Sequence, residues 1–167
     1  MKLNRAILQE GKPEIFEEDI DFSKNIFNEN HIRSVPFAHA KIEATEYGST
    51  LRVIFHIKAK VIGVCSYTLE DVPLEYEFTD ELIFTNEEED SDELIYEKGH
   101  LIDLDPHILS LILARVPITI KKKGAKLPEN GNFYRVLSEE DYLQEKSEKK
   151  DSRWDILDSV KLDDTDE

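Results

Sequence analysis

One cysteine among 167 residues, Cys65, leaves no partner for an intramolecular disulfide and excludes a multi-cysteine zinc site. No run of about 18 apolar residues exists, so a membrane-spanning helix is not expected. The N-terminal Met1-Lys2-Leu3-Asn4-Arg5 leads into Gln9, Glu10 and Lys12, not into the apolar stretch of a secretory signal, and the cytoplasm is the expected compartment. The 6 glycines lie apart and form no phosphate-cradling loop. His31, His39, His56, His100 and His107 show neither HxH nor HxxxH spacing, so no metal site is expected. Carboxylates are too abundant for an acid/base pair to stand out. Nothing calls for a cofactor, a small-molecule substrate or an enzymatic reaction.

Positive charge is also scarce. Lys and Arg number 21 against 37 Asp and Glu, a net charge of −16 that repels phosphate backbones in general. The distribution is nevertheless bipolar. Residues 70–93 hold 12 acidic groups and no Lys or Arg. Residues 115–135 hold Arg115, Lys121, Lys122, Lys123, Lys126 and Arg135 against Glu129 alone, and from Ser138 onward 12 acidic residues face 5 basic ones.

What is present is mostly strand pattern. Residues 41–47 and 50–64 are β-rich runs joined at Gly48-Ser49, a hairpin signal. In the second run Leu51, Val53, Phe55, Ile57, Ala59, Val61 and Cys65 share one face, with Arg52, His56, Lys58 and Lys60 on the other. Val72, Leu74, Tyr76, Phe78, Leu82 and Phe84 then alternate with Pro73, Glu75, Glu77, Thr79 and Glu81, a half-buried strand with an acidic outer face. Residues 3–8, 15–20, 94–96 and 101–104 are shorter strand candidates. Residues 22–27 are a candidate helical turn before the Val35-Pro36 break, and residues 85–93 an acidic, mobile loop. Asp105-Pro106 predicts a helix start, with Asp105 as cap, and an apolar, buried helix running to Val116 before Pro117. Ser138-Glu139-Glu140-Asp141 opens a second, short helix anchored by Tyr142 and Leu143. The pattern as a whole predicts an α+β fold. Its parts are an antiparallel, curved β-sheet, one buried helix and a short C-terminal helix, with residues 1–147 as one domain and 148–167 as a charged, partly flexible acidic tail.

The inward position of Cys65 predicts a small buried hydrophobe, with the acidic segment that follows raising its pKa. Lys121-Lys122-Lys123-Gly124-Ala125-Lys126 places four ammonium groups on a loop. That suits RNA phosphates, or equally a solvated loop balancing acidic neighbours. No aromatic adjoins the run in sequence, so base readout is not expected of it. Trp154, Ile156 and Leu157 form an apolar anchor in the charged tail, docking either on the chain's own sheet or on a partner.

Read in order, these segments resemble the YceD family, the large ribosomal RNA subunit accumulation proteins, over roughly residues 35–160. The family's strand ends in a Cys-Ser/Thr-Arg-Cys-Leu-Glu type motif. Cys65, Ser66, Leu69 and Glu70 match it, while Tyr67 and Thr68 replace the Arg and the second Cys. An acidic strand and a hydrophobic helix ending near Pro117 follow. Gly124, Pro128 and Gly131 keep the order of a segment that is cysteine-rich in many members, without its cysteines. Residues 136–142, Val-Leu-Ser-Glu-Glu-Asp-Tyr, are similar to the cysteine-poor Gram-positive form. The family's closing Asp-Pro-Arg with spaced leucines is matched by Asp151, Arg153 and Leu157, with Ser152 for Pro. The resemblance implies a non-enzymatic factor supporting 23S rRNA accumulation, with 23S rRNA or a pre-50S particle as partner. Residues 115–135 would then face phosphate, and residues 70–93 would hold a basic ribosomal protein or repel wrong RNA sites. The alternative is an acidic module that chaperones a basic ribosomal protein without touching RNA.

Overall fold

Period-2 alternation produces the central hairpin of the computed structural model, which describes residues 1–25, 27, 31–87 and 94–148. Strand β3 (Ile32–Tyr47) pairs with β4 (Thr50–Val64), with Tyr47 opposite Thr50. Gly48 takes φ +59° in the two-residue connection, as a first loop position of type II′ requires. β5 (Asp71–Thr85) pairs along the whole of β4, and β2 (Glu14–Ile20) flanks β3. β6 (Leu94–Tyr96) completes a five-stranded sheet of order β2-β3-β4-β5-β6. β1 (Lys2–Asn4) and β7 (Leu101–Asp103) form a separate antiparallel pair.

The inner face of the sheet holds Ala38, Ala40, Ile42 and Ala44 from β3, and Leu51, Val53, Phe55, Ile57 and Val61 from β4, all buried. Helix α1 (Asp105–Arg115) packs on β4 and β5 through Ile108 and Ile112, each fully buried. At about 1.5–3 kcal/mol per buried Ile side chain, these two anchor the helix more firmly than its capping does. Phe84 on β5 meets His107 of the helix edge-on, with centroids 5.0 Å apart.

Chain contacts divide the protein into two units, Met1–Ala125 and Lys126–Glu167. In the second unit, α2 (Glu139–Glu148) is capped by Ser138, whose Oγ accepts from the Asp141 N–H at 3.0 Å and donates to the Asp141 carboxylate at 2.6 Å.

The α+β class and the mainly antiparallel sheet are as expected, with four corrections. β6 runs parallel to β5, with the Thr85 carbonyl accepting from the Glu97 N–H at 2.9 Å; a three-residue strand carries no local signal of its direction. Residues 3–8 are not one strand. After Asn4 the chain turns into a 3-10 helix, Arg5–Ile7, which turns Arg5 inward. The buried Arg5 side chain donates through Nε to Glu46 at 3.0 Å and through Nη2 to the Ser49 carbonyl at 3.0 Å. Third, β3 passes straight through Val35-Pro36, because register shifts on either side of Ser34 absorb the proline's missing donor. Lastly, Asp105 does not cap α1. Leu104 occupies that position without a side-chain bond, and the Asp105 carboxylate pairs with the Met1 amino group. Residues 22–25 form a turn closed by Asn25 N–H to the Phe22 carbonyl at 3.0 Å, and α2 runs past Gln144 to Glu148. Most of the acidic loop (88–93) and the tail from 149 lie outside the described residues.

Candidate nucleic-acid interface

Beyond β4 the chain makes a closed six-residue turn. The Cys65 N–H donates to the Glu70 carbonyl at 2.8 Å, and the Leu69 N–H to the Cys65 carbonyl at 2.9 Å. Leu69 sits at φ +59°, a left-handed conformation uncommon for a branched residue, with its side chain 70% exposed. The turn is therefore held in shape by its bonds and not by packing of Leu69.

The chain leaving α1 comes back onto this turn. Ile120 is buried where Gly63 leaves room, since a Cβ at 63 would collide with its terminal methyl. The Ile120 carbonyl accepts from the Ser66 N–H at 2.8 Å, and the Lys122 N–H reaches the Cys65 sulfur at 3.4 Å. Lys122 Nζ lies 3.0 Å from Glu70 Oε2, which also accepts the Thr68 hydroxyl at 3.0 Å. Those two donors, Lys122 first, hold the Glu70 carboxyl below its ordinary range. Lys121 Nζ lies 5.5 Å from the Tyr67 ring centroid. The turn from Lys122 to Ala125, with Gly124 at φ +80°, then displays Lys123 to solvent. The Cys65–Glu70 turn and the basic run, more than 50 residues apart in sequence, are one built unit.

Two expectations change here. An aromatic does adjoin the basic run, because Tyr67 is brought beneath Lys121. The Cys65 thiol, expected to be raised, is instead lowered to about 7, chiefly by the Thr68 hydroxyl, whose one proton it shares with Glu70, and then by the Lys122 N–H. Burial opposes that shift, and the residue has no exposed surface. With solvent and electrophiles shut out, the sulfur acts as a hydrogen-bond acceptor within the turn.

Two of the remaining cations, Arg115 and Arg135, are engaged elsewhere. Arg115 Nη2 lies 2.7 Å from Asp80, and its guanidinium stacks 4.8 Å from the Phe78 ring centroid. Asp80 shares the inward-facing row of β5 with Phe78 and Leu82, so this pair ties the end of α1 to the sheet. In the second unit Arg135 is ion-paired to Glu145, and Lys126 is exposed. Asp151, Arg153, Trp154, Ile156 and Leu157 lie outside the described residues.

The acidic outer row of β5 is not a bare anionic face. Glu75, Glu77 and Glu81 stand across from Lys60 at 3.3 Å, Lys58 at 2.9 Å and Arg52 at 2.7 Å. The outer face has two shallow depressions of about 290 and 270 Å³, one beside Phe37 and one beside His39 and His56. Among the described residues, no helix is long and apolar enough to cross a membrane.

A family model described as "Large ribosomal RNA subunit accumulation protein YceD" matches residues 53–161. The chain is also similar to the uncharacterized protein YlbN of Bacillus subtilis (strain 168). The two are 30% identical over 135 residues, covering 75% of this chain and 77% of that protein. No solved structure matches.

Proposed function

The chain belongs to the YceD family, the large ribosomal RNA subunit accumulation proteins, and from that premise we propose that it supports 23S rRNA accumulation and large-subunit assembly by direct contact with RNA phosphate. Lys121, Lys123 and Lys126 make the contact, without catalysis, while Lys122 ties the run to Glu70. The observation that carries this reading is the docking of the basic run on the family's turn motif. Ser66, Cys65 and Glu70 fix the backbone and one ammonium group of a loop whose lysines all reach solvent. A loop that served only to balance acidic neighbours would need no such anchoring. Arg115 and Arg135 are left out of the contact set because each already holds a carboxylate. Capture of a basic protein by the Glu75, Glu77 and Glu81 row is disfavoured for the same reason: those groups are already paired across the sheet.

The test replaces Lys121, Lys122, Lys123 and Lys126 by Glu in cells depleted of the native protein, followed by subunit profiling. We expect large subunits and 23S rRNA to fall as they do on depletion, and purified variant to bind rRNA with a flatter salt dependence. Unchanged rRNA binding with an unchanged salt slope would overturn direct contact through this loop. Normal 23S rRNA on depletion would overturn the assembly role itself.

A further inference from the structure

β2 ends the order of the five-stranded sheet, and among the described residues no strand pairs with its outer edge. The free N–H and C=O groups there are a template for one more strand. No proline or lysine blunts the edge, and Ile15 is 61% exposed. The strand carries Glu14, Glu17, Glu18 and Asp19 and no cation. Glu17, Glu18 and Asp19 line a depression of about 300 Å³ with His39. A larger one, about 450 Å³, lies where the strand ends, with carboxylates from Asp21, Asp103 and Asp105 and apolar surface from Ile20, Phe22 and Leu109. No lysine or arginine lines either depression. Glu17 and Asp19 share the His39 imidazole, at 3.2 and 2.6 Å, and Glu18 and Asp105 share the Met1 amino group. Glu75, Glu77 and Glu81 of β5, by contrast, each have a Lys or Arg of their own.

We propose that the free edge of β2 takes up an extended, lysine- or arginine-rich segment of another protein as an added strand. Main-chain hydrogen bonds supply the pairing, and the carboxylates select the partner. The same charges disfavour the other occupants. A second copy would set its own four β2 carboxylates against these, and RNA would set phosphates there. The chain's own residues 149–167 hold seven Asp or Glu against four Lys or Arg. A long basic side chain suits the larger depression, its stem on Ile20 and Leu109 and its head among the carboxylates. None of the lysines assigned to RNA takes part, so the two bindings are independent.

The experiment measures binding of the full chain to a labelled peptide of four Lys-Thr repeats, to its Glu-Thr counterpart, and to the Lys-Thr peptide N-methylated at every residue. Hydrogen exchange across β2 is read in the free and bound states. The variant Glu17→Gln, Glu18→Gln, Asp19→Asn is compared with Glu75→Gln, Glu77→Gln, Glu81→Gln, which removes the same charge from β5. We expect only the unmethylated basic peptide to bind, with slower exchange across Glu14–Ile20. Its affinity should be roughly three- to 150-fold weaker in the β2 variant and near that of the parent in the β5 variant. Binding of the N-methylated peptide, or equal loss in both variants, means attraction to net charge alone and overturns strand addition. No binding of the Lys-Thr peptide by the unaltered chain overturns it as well, as does a dimer of the free chain joined through β2. The methylation comparison uses the unaltered chain, so it decides the question whatever the stability of the variants.

Discussion

Glu70 closes the β4–β5 turn and receives both the Lys122 ammonium and the Thr68 hydroxyl, so its charge state reports on the docking of the basic run. Folding lowers its pKa from the ordinary 4.5. The pair therefore adds stability above that pH and loses it as the pH falls toward the lower, folded-state value. We expect Glu70→Gln to be less stable than the parent at neutral pH and to show a shallower fall on acidification below pH 4.5. Urea unfolding midpoints measured from pH 3 to 7, roughly spanning that titration, check this. Identical pH profiles would mean that the Lys122–Glu70 bond is not held in solution, as many exposed pairs are not. Sequence could name Cys65, Glu70 and Lys122 but could not join them. The bonds cross separations of 52 and 57 residues, and no local pattern encodes a long-range hydrogen bond. The same reason hid Tyr67 beneath Lys121, whereas the Cys65 shift comes first from Thr68, three residues on in the same turn, and only then from the distant Lys122. The acidic neighbours that sequence offers are not the groups that face the sulfur.

Elements were legible where one face is buried along a sufficient length. β4 was readable to the residue because seven alternate positions share the inner face, and the Gly48-Ser49 connection marked the hairpin. Legibility failed where a side chain's distant partner overrides local preference. Pro36 signalled a break, but register shifts let β3 carry it, and Arg5 leaves the strand pattern to reach Glu46 and Ser49. That last contact raises the stakes at the hairpin tip. Gly48 at φ +59° supports a loop whose Ser49 carbonyl accepts from the buried Arg5 guanidinium, and Arg5 Nη1 already has no partner among the described residues. We expect Gly48→Ala to destabilise the protein by about 1–3 kcal/mol from backbone strain, with more if the loop shifts and Arg5 loses a second acceptor. Chemical denaturation checks the size. A change within a few tenths of a kcal/mol would show that the loop adopts another turn type at no expense.

Over the whole molecule, a charge of −16 and a contact with phosphate coexist only if their ranges differ. On the proposed reading the lysines of the basic run would act at contact distance, where salt changes affinity through the number of counterions released. The outer row of β5 acts at longer range and through its sum, which its β4 partners reduce without abolishing: Glu17, Asp19 and Glu43 lie on the same face. The two effects separate by ionic strength, since the Debye length shrinks from about 30 Å at 0.01 M to about 10 Å at 0.1 M. Replacing Glu75, Glu77 and Glu81 by Gln should therefore raise the association rate with RNA several-fold at about 0.01 M salt and hardly at all above about 0.3 M. The high-salt slope of log affinity should stay that of the parent, because no phosphate contact has been added at the basic run. Stopped-flow association across that salt range distinguishes the cases. If instead the triple variant gains affinity with a steeper slope, then Lys58, Lys60 and Arg52, released from their glutamates, are binding phosphate, and the RNA-contacting face is the open sheet and not the loop docked on Cys65–Glu70.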